Sequence, residues 1–102
     1  MSRLDKMLKM LDASPTDAFL LYGIALEYKK LNEFDKVISY LDRTIQSDPN
    51  YCYAYYQKGQ TLELMNDLEQ ARRAYRDGIK VAQSVGDSKA IGELTGALEM
   101  IS

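Results

Sequence analysis

The stretch LYGIALEYKKLNEFDKVISYLDRTI (21–45) determines the architecture, because its pattern recurs as YYQKGQTLELMNDLEQARRAYRDGI (55–79). The copies begin at residues 21 and 55, so the offset between them is 34 residues. Chemical character recurs at many aligned positions, which indicates that both segments are copies of one structural unit. The clearest aligned pairs are Leu21 and Tyr55, Ala25 and Gly59, Asn32 and Asn66, Leu41 and Tyr75, and Ile45 and Ile79.

Within each copy, apolar residues recur at the spacing of an α-helix. The earlier copy has two such stripes, one in each half, separated by a short polar break. Asn32 and Asn66 lie in these breaks, and asparagine accepts the left-handed conformation that closes a helix. Each copy is therefore predicted to be a helix–turn–helix hairpin. The stripes of the earlier copy are Leu21, Ile24, Ala25 and Tyr28, then Phe34, Val37, Ile38, Leu41 and Ile45.

Further apolar stripes at helical spacing occur before and after the two copies, in LDKMLKML (4–11) and from Ile91 to Ile101. Terminal units are expected in any short repeat array, because two repeats alone bury little apolar surface. We expect one all-α domain over 1–102, an α-solenoid of antiparallel hairpins with about five helices. Its predicted parts are a capping half-unit at 2–13, repeats at 16–49 and 50–84, and a capping helix at 87–101.

This period and layout resemble the tetratricopeptide repeat. The matching positions include the small residue where the two helices of a hairpin cross, Ala25 or Gly59, and the closing Pro49. The resemblance spans about residues 14–83, and the chain is similar to small bacterial tetratricopeptide proteins with two repeats and capping helices. It implies a right-handed superhelical stack, in which the first helix of each repeat lines a concave groove for a protein partner.

The resemblance also sorts the tyrosines of YCYAYY (51–56) by role. Tyr55 takes the packing position of Leu21 and is expected in the core, whereas Tyr53 and Tyr56 are expected in the groove. Such rings are typical of binding hot spots; alternatively, the N-terminal helix folds over them and they only fill the core. The predicted partner-binding residues are Phe19, Tyr22, Leu26, Lys29, Lys30, Tyr53, Tyr56, Gln57, Gln60 and Glu63.

The groove is expected to hold a peptide segment with apolar or aromatic side chains, with Lys29 and Lys30 facing acidic flanks. One binding mode of the family, a lysine and asparagine clamp around a terminal carboxylate, does not match, because the corresponding positions hold residues such as Tyr22 and Leu26. Lys58 has two interpretations. Its stem packs along the groove wall with the amine in solvent, or its cation is fixed to face an acidic ligand.

Composition excludes several classes of function. The net charge is −2, with no basic excess that would favour nucleic acid or an anionic membrane. No apolar run reaches the roughly 20 residues that span a bilayer. The chain has no histidine, and its single cysteine, Cys52, lacks partners for a zinc site. The six glycines are scattered and form no phosphate-binding loop. We therefore expect no enzyme, no cofactor and no metal, and a cytoplasmic location.

Two hypotheses for function remain open. The first is a protein–protein interaction module, an adaptor that binds a peptide segment of its partner. The alternative is a self-associating structural protein whose terminal helices form a homodimer. Gly92 and Gly96 lie four residues apart in the last helix, where each glycine costs up to about 1 kcal/mol relative to alanine. Close packing against another helix, within the chain or across a dimer, would explain them, and so would tolerance in a frayed end.

Overall fold

The computed structural model describes all 102 residues, and it contains six α-helices and no strand. The predicted all-α repeat architecture is confirmed. The expected count of about five helices was one short, because the two hairpins supply two helices each and one further helix lies at either end. The helices are α1 (Arg3–Ala13), α2 (Ala18–Lys30), α3 (Phe34–Ser47), α4 (Cys52–Leu64), α5 (Leu68–Val85) and α6 (Ser88–Met100).

Four of the helices begin at a residue whose side chain accepts a hydrogen bond from a backbone N–H three positions later. Such N-caps satisfy donors that the first helical turn leaves free. At α1 the arrangement is a complete capping box, because the Asp5 carboxylate also accepts from the backbone N–H of Ser2. The local sequence thus sets where these helices start. The four N-caps are Ser2, Asp17, Asp67 and Asp87.

Residues in the left-handed conformation separate the helices of each hairpin. Asn32 has a φ of 56° and Asn66 a φ of 61°, which confirms the prediction for both. Gly86 ends α5 with a φ of 74°, a conformation that glycine adopts without steric cost. These tight turns place α2 against α3 and α4 against α5.

Each helix packs mainly on the helices next to it along the chain, so the fold is a one-dimensional stack. One core cluster joins α1, α2 and α3 and includes the fully buried Ala54 of α4. A second cluster joins α4, α5 and α6. The terminal helices α1 and α6 therefore each cover the open side of one repeat, and α6 also contacts α4.

The crossing of α4 and α5 depends on Gly59. The ring of Tyr75 is fully buried and occupies the space that a Cβ on Gly59 would need. In the first hairpin the equivalent positions hold Ala25 and Leu41, which are both fully buried. A larger side chain on the second helix is therefore matched by a smaller residue on the first.

The prediction that Tyr55 lies in the core is wrong, since this residue is only half-buried. Its equivalent in the first repeat, Leu21, is 1% exposed. The difference arises because the Tyr55 hydroxyl donates to the carbonyl oxygen of Pro49 over 2.9 Å. This hydrogen bond holds the end of the ring at the exposed turn between the two repeats.

Polar contacts hold the stack together, one between the two repeats and one within the first repeat. Lys58 Nζ lies 2.7 Å from Asp42 Oδ1, which links α4 to α3. The Ser47 hydroxyl donates to the carbonyl oxygen of Thr16, and so joins the end of α3 to the turn before α2. Because the Lys58 ammonium pairs with Asp42 within the chain, it does not stand open to an acidic ligand, and that interpretation is corrected; the side chain is only 29% exposed, as expected for a packed stem.

Candidate functional site

The predicted groove residues lie on α2 and α4, and α6 adds a third wall that the sequence analysis did not include. Three depressions follow one another here, between α1 and α2, between α2 and α4, and between α4 and α6. We call this surface the groove face. From α2, α4 and α6 it is lined by Phe19, Leu20, Tyr22, Gly23, Leu26, Lys29, Tyr56, Gln60, Glu63, Leu64, Gly92, Glu93, Gly96, Ala97 and Met100.

A polar network crosses the seam between the two repeats. Lys29 Nζ donates to Gln57 Oε1 over 2.8 Å and to Gln60 Oε1 over 3.3 Å. Gln60 Nε2 in turn donates to the Tyr56 hydroxyl over 3.0 Å. Burial lowers the pKa of Lys29 below its ordinary value, because a partly desolvated site disfavours the charged form. The structure thus brings together four of the predicted residues around one cation.

The two predicted lysines occupy different environments. Lys30 is exposed, and its Nζ lies 2.9 Å from Glu27 Oε2. The same carboxylate oxygen is 3.9 Å from Nε of Arg3 on α1. Lys30 is therefore part of a surface ion-pair cluster with α1 and does not join the network around Lys29.

The four predicted rings differ in exposure. Phe19 is 79% exposed, whereas Tyr22, Tyr53 and Tyr56 are half-buried. Tyr22 packs on the ring of Tyr51, the residue just before α4, and the two ring centroids are 4.8 Å apart. Burial raises the pKa of Tyr22, and a hydrogen bond with Gln57 opposes this rise. These four residues do not all fill the core, because Phe19 remains open beside α1.

The alternative in which the N-terminal helix covers the rings is wrong for the second repeat. Tyr53 and Tyr56 pack against the core cluster that includes α6, so their partial cover comes from the C-terminal helix. The Tyr53 and Tyr56 rings meet edge to face with centroids 6.3 Å apart, and Tyr56 lies 6.3 Å from the ring of Tyr75. Of the α4 rings, Tyr56 lines the groove face beside α6.

Glu63 is tied to the core of the second repeat. The buried Tyr75 donates its hydroxyl to Glu63 Oε2. Burial, and then the hydrogen bond and the charge of Glu63, raise the pKa of Tyr75, because both disfavour the phenolate. The carboxylate of Glu63 therefore has a partner within the chain.

A largely apolar cavity of about 490 Å³ lies between α1 and α2. Phe19, Tyr22 and Leu26 line it from α2, while Met7 and Met10 line it from α1. Neither methionine is among the partner-binding residues predicted from the sequence. A signal for them existed in the sequence, since Met7 and Met10 belong to α1, which was expected to pack on the first repeat. Their contribution could not be located without knowing how α1 lies on α2.

A shallower depression of about 400 Å³ lies between α4 and α6, and Gly92 and Gly96 are on its surface. No other part of the chain lies within 4 Å of where a Cβ would stand on either glycine. The interpretation that these glycines allow close packing within the chain is therefore wrong. Met100, also on this surface, is 85% exposed.

The remaining chemistry of the chain is limited. Cys52 is buried, and burial raises the pKa of its thiol, so its thiolate is disfavoured. No cluster of three or more carboxylate, cysteine or histidine side chains could hold a metal ion. None of the six helices has the length and apolar character that a membrane crossing requires.

Comparison with known proteins gives consistent matches. Two family models, both described as tetratricopeptide repeat, match residues 20–51 and 40–73. The TPR repeat-containing protein PA0015 of Pseudomonas aeruginosa is 29% identical over 87 residues, which cover 85% of this chain and 83% of that protein.

Solved structures agree with this similarity. Protein BPP2914 from Bordetella parapertussis superimposes with a TM-score of 0.86 at 27% identity, over 99% of this chain and 88% of that one. The first TPR of Spaghetti (RPAP3), solved bound to an HSP90 peptide, has a TM-score of 0.76 at 22% identity and covers 96% of this chain and 78% of that one. At that identity the second likeness concerns the fold alone.

Proposed function

Because this chain belongs to the tetratricopeptide repeat family, whose repeats serve as protein interaction modules, we propose that it is an adaptor that holds a peptide segment of a partner protein on the groove face. One observation carries the proposal. The exposed ring of Phe19 borders an apolar cavity, which lies next to an ordered network of lysine, glutamine and tyrosine side chains. Apolar contact area beside fixed polar groups is the composition of a protein-binding surface.

The exposed apolar side chains support this role. Phe19 is 79% exposed and Met10, across the cavity, is 58% exposed. Single exposed apolar residues are ordinary, but a cluster around a concave apolar site is typical of an interaction surface. A partner side chain placed in the cavity would remove this cluster from water.

The fold also supports a peptide as the ligand. The first TPR of RPAP3 has the same fold and was solved with a bound peptide, so this arrangement of helices is compatible with peptide binding. The partner of that protein is not transferred to this chain. An adaptor needs no catalytic group, which fits a chain that has no histidine and whose one cysteine is buried.

A second candidate function is self-association through α6. It is favoured by the open surface over Gly92 and Gly96 and by the exposure of Met100. A helix from a second copy could approach α6 closely at these glycines. Sedimentation at increasing protein concentration tests this candidate, since a dimer through α6 predicts a rise in mass that bulky substitutions at Gly96 abolish.

The adaptor proposal is tested by capture of partners from a lysate of the native host on immobilised chain, with mass spectrometry as the readout. The wild type is compared with Phe19→Ala, a substitution that removes the exposed ring and has little effect on folding. Val85→Ala is the matched control, because Val85 is an exposed apolar residue of α5 that lines no part of the groove face.

The proposal expects a protein that the wild type and Val85→Ala retain and that Phe19→Ala loses. Equal retention by all three would place the interaction away from the groove face. Recovery of the chain's own copies alone would favour self-association instead.

A further inference from the structure

Lys29 is the one groove-face cation without a carboxylate partner in the chain. The three ion pairs of the structure use Arg3, Lys30 and Lys58, and none includes Lys29. The two acceptors of Lys29 are neutral amide oxygens. They satisfy hydrogen bonds but do not neutralise a partly buried charge, so a carboxylate at this point would bring a gain that the chain itself does not supply.

In the second repeat, the charged residue at the same position has a buried hydrogen-bond partner within its own repeat. Lys29 and Glu63 are 34 residues apart and hold equivalent positions, as do Leu41 and Tyr75. In the second repeat the charged side chain is bound by the hydroxyl of Tyr75. In the first repeat the equivalent residue is Leu41, which has no polar group that could bind Lys29. The charge of Lys29 therefore remains directed at the groove face and unpaired.

The same offset shows that the wall of the α1–α2 cavity differs from the equivalent surface of the second repeat. Gly23 lines the cavity, and its equivalent is Gln57, whose amide accepts from Lys29. Glycine at this position lets Met7 of α1 pack closely on α2, since the terminal methyl of Met7 lies 2.6 Å from where a Cβ on Gly23 would stand. The volume of about 490 Å³ is within the range of sites that hold large ligand groups.

The cavity and the cation are adjacent. Leu26, in the cavity wall, and Lys29 are three residues apart on α2, so their side chains emerge about 5–6 Å from each other on one helix face. Gln60 uses one N–H of its amide on Tyr56, and an amide has a second donor that remains for an oxygen of a ligand.

We propose that the segment held on the groove face carries an aspartate or glutamate that pairs with Lys29 and, a few residues away, a bulky apolar side chain that enters the α1–α2 cavity. This inference rests on the proposed adaptor function and names the chemistry of its ligand. Glu63 lines the same depression as Lys29, but its carboxylate is held by Tyr75. The carboxylate of the ligand is therefore placed on the α2 side of the depression.

The test is selection from a random-peptide phage library on four immobilised chains. They are the wild type, Lys29→Gln, Gly23→Gln and the control Lys80→Gln. Lys80→Gln removes the same charge from an exposed site on α5, and Gly23→Gln places the residue of the second repeat into the cavity. Circular dichroism verifies that each variant is folded before selection.

We expect the wild type and Lys80→Gln to enrich sequences that pair Asp or Glu with Leu, Met, Phe or Trp. Lys29→Gln should lose the acidic preference and keep the apolar one, and Gly23→Gln should do the reverse. For a synthesised consensus peptide, Lys29→Gln should weaken binding about tenfold, as for a hydrogen bond to a charged group. Added salt should reduce this difference.

An enriched consensus without acidic residues, or one that Lys29→Gln leaves unchanged, would overturn this inference while the adaptor function stands. Selection of acidic peptides without an apolar preference would likewise refute the two-point arrangement. Failure of every chain to enrich any sequence would count against the proposed function itself, and the inference would fall with it.

Discussion

The two repeats have the same backbone design but use their groove sides differently. In the second repeat, Tyr75 reaches through the helix crossing and binds Glu63, and α6 partly covers the rings of α4. In the first repeat, Leu41 ends in the core, an apolar cavity lies between α1 and α2, and Lys29 has no carboxylate partner. Equivalent positions therefore serve internal stability in one repeat and remain open in the other.

This contrast follows from a few exchanges of side-chain size and charge. Where the first repeat has Ala25 and Leu41, the second has Gly59 and Tyr75. This difference removes one Cβ and places a hydroxyl at the groove face. A repeat array can thus separate structure from binding by substitution at positions one period apart, without altering its helices.

The largest expected effect is at the second crossing. Gly59→Ala places a Cβ into the ring of Tyr75, and we expect a loss of about 2–3 kcal/mol in the free energy of unfolding, as for overpacked cores. Urea denaturation followed by circular dichroism measures it. The double variant Gly59→Ala/Tyr75→Leu recreates the residues of the first repeat and should recover much of the loss. If the double variant were no more stable than Gly59→Ala, the proposed size match between Gly59 and Tyr75 would be refuted.

The next effect concerns the hydroxyl of Tyr75. Tyr75→Phe keeps the ring and removes the donor to Glu63, and we expect a loss of about 1.5 kcal/mol, typical of a hydrogen bond to a charged group. Tyr40→Phe is a suitable control, since the Tyr40 hydroxyl makes no side-chain hydrogen bond in the structure. Equal stability of wild type and Tyr75→Phe in urea would show that Glu63 is not held in this way.

The burial of Tyr75, together with its hydrogen bond to Glu63, predicts a dependence of stability on pH. The pKa of Tyr75 is raised in the folded chain above its ordinary value of 10.0, so the folded state retains this proton more tightly than the unfolded state. Its contribution to stability is complete below pH of about 10 and is lost as the pH rises above it. Between roughly pH 9 and pH 11, the urea midpoint should fall less steeply with rising pH for Tyr75→Phe than for the wild type.

A smaller effect of opposite sign is expected on α6. Gly96→Ala adds a methyl where nothing lies within 4 Å, and alanine should stabilise the helix by about 0.5–1 kcal/mol. Thermal unfolding measures the change. A loss of stability that depends on protein concentration would instead reveal a partner helix at this face.

The smallest effect is expected at the contact between the repeats. Lys58 and Asp42 are partly exposed, and a double-mutant cycle with Lys58→Met and Asp42→Asn should give a coupling of about 0.5 kcal/mol. High salt should reduce it. A coupling of zero in low salt would show that this ion pair does not help to hold the two repeats together.

Much of the fold could be predicted from the sequence, because its determinants are local and repeat. The period places the hairpins, Asn32 and Asn66 mark their turns, and Asp87 begins the last helix. These features depend on residues a few positions apart. The period does not indicate which residue of a neighbouring unit lies opposite, and the errors are found at such contacts.

Tyr55 illustrates the limit. Alignment with Leu21 predicts a core residue, but the hydroxyl reaches the carbonyl oxygen of Pro49, which alignment with a leucine cannot indicate. The α1–α2 cavity and the bond from Tyr75 to Glu63 likewise depend on how helices lie across one another. The list of site residues therefore included Lys30, which is paired on the surface, and omitted Met7 and the residues of α6.

The most direct test of the account is to locate the peptide on the chain. Isotope-labelled protein is titrated with a peptide selected on the wild type, and backbone amide shifts are followed by NMR. We expect the largest shifts from Gly23 to Lys29 on α2 and from Gln57 to Gln60 on α4. Shifts centred on Gly92 to Met100, or on α5, would contradict the proposal that the open groove side of the first repeat is the binding site.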